Sequence, residues 1–231
     1  MAGLTLTLLL LPGMMCDARL FAPQIAHLSA GRSIIVADLS RDESIAAMAA
    51  RVLDEAPPVF ALAGLSMGGI VAMEMLRQSP DRIARLALIA TNPLAETEEV
   101  RAVRAPQMER AKRGDLAGLM TEALIPRYLA RPAPDIADLC LQMAADLGPE
   151  VFLRQSQALA GRRDQSAVLA AATCPTLILS GELDQLCPPS RHDLMHELMP
   201  HAHRVSLPDT GHLPVLENPE LTNKALSQWL L

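Results

Sequence analysis

Short strand-like apolar runs alternate with helix-period segments along most of this chain. The apolar runs fall at 4–11, 33–37, 59–63, 86–90, 176–180 and 203–207. The helix-period segments fall at 18–28, 43–54, 67–78, 191–199 and 219–230. A strand that is apolar at every position must be covered on both faces, and parallel strands need long crossovers to join them. The pattern therefore predicts an α/β chain: a mostly parallel, doubly wound sheet of about six strands with helices on both faces. The crossovers should be right-handed, and the functional loops should lie at the carboxyl ends of the strands.

The alternation breaks once. Between about 94 and 172 there is no convincing strand, only helical stretches punctuated by Pro106, Gly114, Pro126, Pro132, Pro134 and the Gly148-Pro149 pair. Such a length is too great for a loop. Because the chain re-enters a core strand directly after Pro175, the stretch reads as a helical lid folded over the sheet. A separate four-helix domain is the alternative. The expected organisation is a core of residues 1–93 and 173–231 with a cap insertion at 94–172.

Composition narrows the function. The chain has 231 residues, enough for one large core; half of them are hydrophobic and only 2% aromatic, so the core must be aliphatic. Twelve methionines suit an adaptable pocket. The formal net charge is −6, with no basic stripe, which argues against nucleic acid or an anionic membrane surface as partner. Cys16, Cys140, Cys174 and Cys187 are scattered without metal-ligand spacing and read as reduced thiols of a cytoplasmic protein. The apolar run at 4–11 has no preceding Lys or Arg, so it reads as a buried strand, not a signal peptide, and no run is long enough to span a membrane.

Residues 64–69, Gly-Leu-Ser-Met-Gly-Gly, stand between an expected strand and an expected helix. A G-x-S-x-G sequence in that setting is a sharp bend that lifts the serine hydroxyl above the sheet. Gly64 and Gly68 would be needed because a Cβ at either position would strike a neighbouring element. The helix beginning at Met67 aims its free N–H groups at the same point. A glycine-rich turn with a capping serine is the plainer alternative for Ser66.

A serine nucleophile needs a base, and the base needs an orienting acid. Of six histidines, His27 lies mid-helix, His201 and His203 flank a strand start, and His192 and His196 share i, i+4 spacing without a third metal ligand. His212 instead follows the last strand, in a loop where Gly211 frees the backbone. Asp184 follows the preceding strand, with Glu182 and Asp209 as competing acids. The Pro188-Pro189 pair would stiffen the loop around Asp184. For the oxyanion, the backbone N–H of Met67 and that of Met14, after Pro12-Gly13, are the candidate donors. No metal and no organic cofactor is expected.

With Ser66, Asp184 and His212 in that chain order, the sequence resembles the α/β-hydrolase superfamily, in its compact, lidded esterase-like branch. The resemblance spans the elbow, the acid loop, the histidine loop and the helical stretch between. It departs at two points: the usual leading hairpin is missing, and Pro12 stands where histidine commonly precedes the glycine. The resemblance implies a serine hydrolase acting on small carboxylic esters or related acyl compounds. The same triad serves thioesterases, lactonases, perhydrolases, C–C bond hydrolases and some lyases, whereas branches with an aspartate nucleophile are disfavoured. A non-hydrolytic receptor for a small ligand is the reading from a different class. Met120, Leu124, Met143 and Phe152 are the candidates to line an apolar substrate pocket, with a place in the lid core as the alternative for each. Arg127 or Arg154 could instead meet a substrate carboxylate, with a solvated helix face as the plainer alternative.

Overall fold

The computed structural model describes residues 6–231. Six strands form one all-parallel sheet in the order β2-β1-β3-β4-β5-β6. They are β1 (Leu8–Leu11), β2 (Ile34–Val36), β3 (Phe60–Leu65), β4 (Ile83–Ile89), β5 (Thr176–Gly181) and β6 (His203–Leu207). Each expected apolar run contains or overlaps one of them. Leu4 and Thr5, at the start of the first run, lie outside the described residues.

The crossovers are α1 (Ala22–Leu28), α2 (Ile45–Glu55) and α3 (Met67–Gln78), and, near the end, α9 (Pro189–Leu198). Burial on both faces explains the apolar β1 and β3, which are buried at every position. The edge strands β2 and β6 are partly exposed, and β6 carries His203, Arg204 and Ser206. On β1, Leu8 and Leu10 join one core cluster, while Leu9 and Leu11 join the other beneath α2 and α3. The side-chain period of two assigns alternate residues to opposite faces. Because β1 lies between β2 and β3, the chain winds outward in both directions from it. The loops after β1 and β3 therefore open a crevice at the point where the winding reverses, the place where such sheets bind ligands.

Between β4 and β5 the chain is helical: α4 (Glu98–Lys112), α5 (Leu116–Leu119), α6 (Ile125–Tyr128), α7 (Pro134–Ala160) and α8 (Ser166–Ala170). Two expected breaks proved milder than the sequence suggests. Pro106 sits inside α4 without ending it. Pro126 follows a π turn, Met120–Leu124, in which the Ile125 N–H reaches the Met120 carbonyl. Widening the turn relieves the crowding that a proline ring imposes on the preceding turn. At Gly148-Pro149 the break is real: Gly148 has φ 79 and kinks α7, and Pro149 restarts it. The chain closes with α10 (Pro214–Glu217) and α11 (Pro219–Trp229).

Candidate active site

Ser66 joins β3 to α3 with φ 55 and ψ −115, a conformation that L-residues adopt only under constraint. Two glycines allow it. A Cβ on Gly64 would lie 2.3 Å from the Gly68 carbonyl oxygen, and one on Gly68 would lie 2.1 Å from that of Leu11. The helix thus seats directly against the ends of β1 and β3. Met15, Ala90 and Asp209 also have positive φ, each just beyond a strand's carboxyl end. All the non-glycine residues of this kind among those described lie at strand ends on the same rim of the sheet.

Three remote side chains meet there. His212 Nε2 lies 2.9 Å from Ser66 Oγ, and His212 Nδ1 lies 2.8 Å from Asp184 Oδ2. The other oxygen of Asp184 accepts the N–H groups of Leu186 and Cys187, at 2.8 and 2.9 Å. Asp184 and His212 are both buried, which shields their contact from water. The competing acids lie elsewhere: Glu182 is exposed, and Asp209 is exposed and paired with Arg131. His212 is held from its backbone, since its N–H donates to the Tyr128 carbonyl at 2.8 Å, and the Tyr128 ring lies tilted across the imidazole. Glu217 secures the same loop by accepting the N–H groups of Gly211, Leu213 and Ala130.

Gly211 serves space instead of conformational freedom. A Cβ there would come within 2.6 Å of the Ala130 nitrogen and 2.8 Å of the Tyr128 oxygen, so the His212 loop packs directly on the backbone after α6.

Opposite the elbow, the Pro12-Gly13-Met14 loop leaves β1 close enough that a Cβ on Gly13 would touch the Leu65 side chain at 3.3 Å. Among the described residues, neither the Met14 nor the Met67 N–H has an acceptor. The next N–H, of Met15, donates to Gln155 Oε1 at 2.8 Å, and Gln155 Nε2 donates to the Leu39 carbonyl at 3.1 Å. Gln155 comes from α7 and is buried, so a helix from the segment between β4 and β5 braces this loop. Its role was not legible in the sequence, where it is one polar residue on a helix.

A cavity of about 490 Å³ opens above Ser66 and His212. Leu124 and Phe152 line it, as do Met14, Ile70, Leu186 and Leu213. The expectation for Met120 and Met143 is corrected: both are buried in the core, and the Met143 sulfur accepts the Asp17 N–H. Each points from its helix into the packing beneath the wall. Arg127 reaches the cavity, whereas the Arg154 guanidinium donates to the Ser40 carbonyl and does not. Arg104 and Arg162 also line the cavity, both paired with the buried carboxylate of Glu96.

Both ring nitrogens of His192 are engaged within the fold. His192 is fully buried, its Nε2 accepts the Thr91 N–H at 3.2 Å, and its Nδ1 faces the Pro188 carbonyl at 3.4 Å. Burial lowers its pKa to about 4, so the ring is neutral. Among the described residues one trio with metal-ligand chemistry converges: Asp184, Cys187 and His212. The first and last already bond to each other, and burial pushes the Cys187 thiol well above its usual range, which makes it a poor ligand.

A strained serine at a strand–helix bend thus stands in line with an imidazole and a buried carboxylate on one rim of a doubly wound parallel sheet. The chain belongs to the alpha/beta hydrolase family, whose model matches residues 8–225. It is 30% identical over 191 residues to a pimeloyl-[acyl-carrier protein] methyl ester esterase of Photobacterium profundum, covering 79% of this chain and 74% of that one. A protein of the same description from Aromatoleum aromaticum is 26% identical over 196 residues, 78% of each chain. Among solved structures, a thermophilic esterase from Thermogutta terrifontis with malate bound superposes with a TM-score of 0.88 at 30% identity. That match covers 97% of this chain and 89% of the other. The enol-lactonase of Burkholderia xenovorans LB400, at 21% identity, shares the fold with the same TM-score over 99% of this chain and 92% of its own.

Proposed function

We propose that this hydrolase cleaves small carboxylic esters with Ser66 as nucleophile, His212 as general base and acid, and Asp184 as the orienting carboxylate. The observation that carries the reading is the continuous line from Asp184 Oδ2 through both nitrogens of His212 to Ser66 Oγ, at 2.8 and 2.9 Å. Asp184 accepts a hydrogen bond from the Nδ1–H and so fixes the tautomer, leaving the Nε2 lone pair free to receive the serine proton as Oγ attacks the ester carbonyl. The imidazolium formed lies beside a buried carboxylate and is stabilised by it. The N–H groups of Met14 and Met67 hold the oxyanion. His212 then protonates the leaving alcohol, and water activated by the same nitrogen releases the acid from the acyl-enzyme.

In this reading residues 1–93 and 173–231 form the catalytic core, and residues 94–172 form the cap that supplies Leu124, Arg127 and Phe152 to the cavity. The largely aliphatic lining suits an apolar acyl or alcohol group. The relatives named as methyl ester esterases favour an ester over a thioester, lactone or C–C bond, and they make a methyl ester of an acyl chain borne on acyl-carrier protein a substrate to test. The chemistry proposed draws on no metal or cofactor. The cysteines are free thiols, which suits a reducing cytoplasm.

The test is hydrolysis of p-nitrophenyl butyrate by the purified chain and by Ser66→Ala. Turnover should be abolished in the variant; unchanged turnover would reject Ser66 as nucleophile. A wild type that binds such compounds without converting them would support a receptor instead.

A further inference from the structure

Thr91 stands one residue beyond Ala90 at the end of β4 and is fully buried against the elbow. Its Oγ1 donates to the carbonyl oxygen of Ser66 at 2.7 Å. That oxygen also accepts the N–H groups of Gly69 and Ile70, at 2.9 and 3.2 Å. The second glycine after the serine makes the contact possible: a Cβ on Gly69 would lie 2.5 Å from Thr91 Oγ1. Thr91 is held in turn by His192, whose Nε2 accepts the Thr91 N–H. The His192 ring faces the carbonyl of Pro188, in the loop that carries Asp184.

The carbonyl of Ser66 and the N–H of Met67 belong to one peptide group, planar and trans, so they point in opposite directions and turn together. A hydrogen bond that fixes the carbonyl also aims the N–H. A donor on the carbonyl further polarises the group and makes its N–H a stronger donor in a dry site. We propose that Thr91 is a positioning residue of the oxyanion hole, acting through the Ser66–Met67 peptide, with His192 holding Thr91 in place. The other donor is pinned differently. The Gly13 carbonyl, in the same peptide as the Met14 N–H, accepts the backbone N–H of Cys16 at 3.2 Å. The Met14 peptide takes no side-chain donor itself, although Gln155 braces the residue after it, whereas the Met67 peptide is held directly by the Thr91 hydroxyl.

The inference rests on the reading of Ser66 as nucleophile and Met67 N–H as oxyanion donor. Thr91→Val keeps the shape of the side chain and removes its donor. The Ser66 carbonyl retains its two amide partners, so no buried acceptor is orphaned and the fold should survive. Thr91→Ser restores the donor, and Thr91→Ala serves as a second donor-less variant. Each is assayed for kcat and KM on p-nitrophenyl butyrate, for melting temperature, and for affinity toward an aryl trifluoromethyl ketone, whose serine adduct places an oxyanion in the hole. For Thr91→Val we expect kcat to fall about tenfold with KM little changed, and ketone affinity to fall in proportion to kcat/KM. The melting temperature should stay near wild type, and Thr91→Ser should recover most of the loss. Wild-type kcat and ketone affinity in Thr91→Val, or equal impairment in Thr91→Val and Thr91→Ser, would overturn the inference. If Ser66→Ala is inactive while Thr91→Val is not impaired, this inference alone falls. If Ser66→Ala remains active, the underlying reading falls first.

Discussion

Ser66 and His212 are separated by 146 residues, yet Ser66 Oγ and His212 Nε2 stand 2.9 Å apart. Their meeting depends on parallel pairing: β3 delivers Ser66 and β6 delivers the His212 loop, while β5, beside β6, delivers Asp184. All three strands run the same way, so all three loops emerge on one rim. Perturbing any of the supports of that rim should have a separable signature.

Asp184→Asn keeps the shape of the carboxylate but offers an amide that cannot hold the His212 proton in the same way. Turnover of p-nitrophenyl butyrate should fall by roughly 10³–10⁴-fold, with substrate binding nearly intact. Steady-state kinetics separate the two; a loss confined to KM would argue against an orienting role.

Gly68→Ala drives a methyl group into the Leu11 backbone, 2.1 Å from its carbonyl oxygen. No side-chain rotation can relieve a clash between backbone atoms. The variant should lose roughly 2 kcal/mol or more of stability in urea titrations and most of its activity. Gly31→Ala, where nothing lies within 4 Å, is the control and should change neither.

Gln155→Leu removes the partner of two buried backbone groups, the Met15 N–H and the Leu39 carbonyl. Leaving such groups unpaired costs about 1–3 kcal/mol each. Because the same side chain braces the Met14 loop, kcat should drop along with the melting temperature. Equal activity in the variant, at temperatures where it is folded, would show that the loop holds its shape unaided.

The buried His192 makes the fold sensitive to acid. Its pKa is about 4 in the folded chain against 6.5 as the ordinary value, so below about pH 6.5 the unfolded chain takes up the proton first. Its contribution is complete above that value and is lost as the pH falls through the folded pKa. The contribution at stake is up to about 3 kcal/mol. Urea midpoints measured from pH 7 to pH 4 should fall, and the fall should be shallower in His192→Gln. Parallel slopes in the two proteins would remove His192 as a source of the effect.

What could be read from the chain alone was what short-range physics dictates. Strand-like apolar runs alternating with helical repeats allow little besides a parallel sheet covered on both faces, and the elbow glycines announce themselves by spacing. The loops bearing Asp184 and His212 could be placed by their position after strands. The family resemblance then turned three scattered residues into one expected site. Periodicity could not say which lid residues face inward: Leu124 and Phe152 line the cavity while Met120 and Met143 lie in the core, because the π turn and the Gly148 kink reset the helical phase. Nor could it assign Gly211 its reason, which is the approach of another backbone from eighty residues away.

Gln155, Thr91 and His192 mark the same boundary. Each is an ordinary polar residue on its own segment, and each acquires its role only from a partner on a different one. Local sequence determines the conformations a segment prefers, because those follow from nearby sterics and hydrophobic patterning. Which buried donor meets which acceptor is decided when the sheet closes and water leaves, since only then must every polar group find a partner inside the protein.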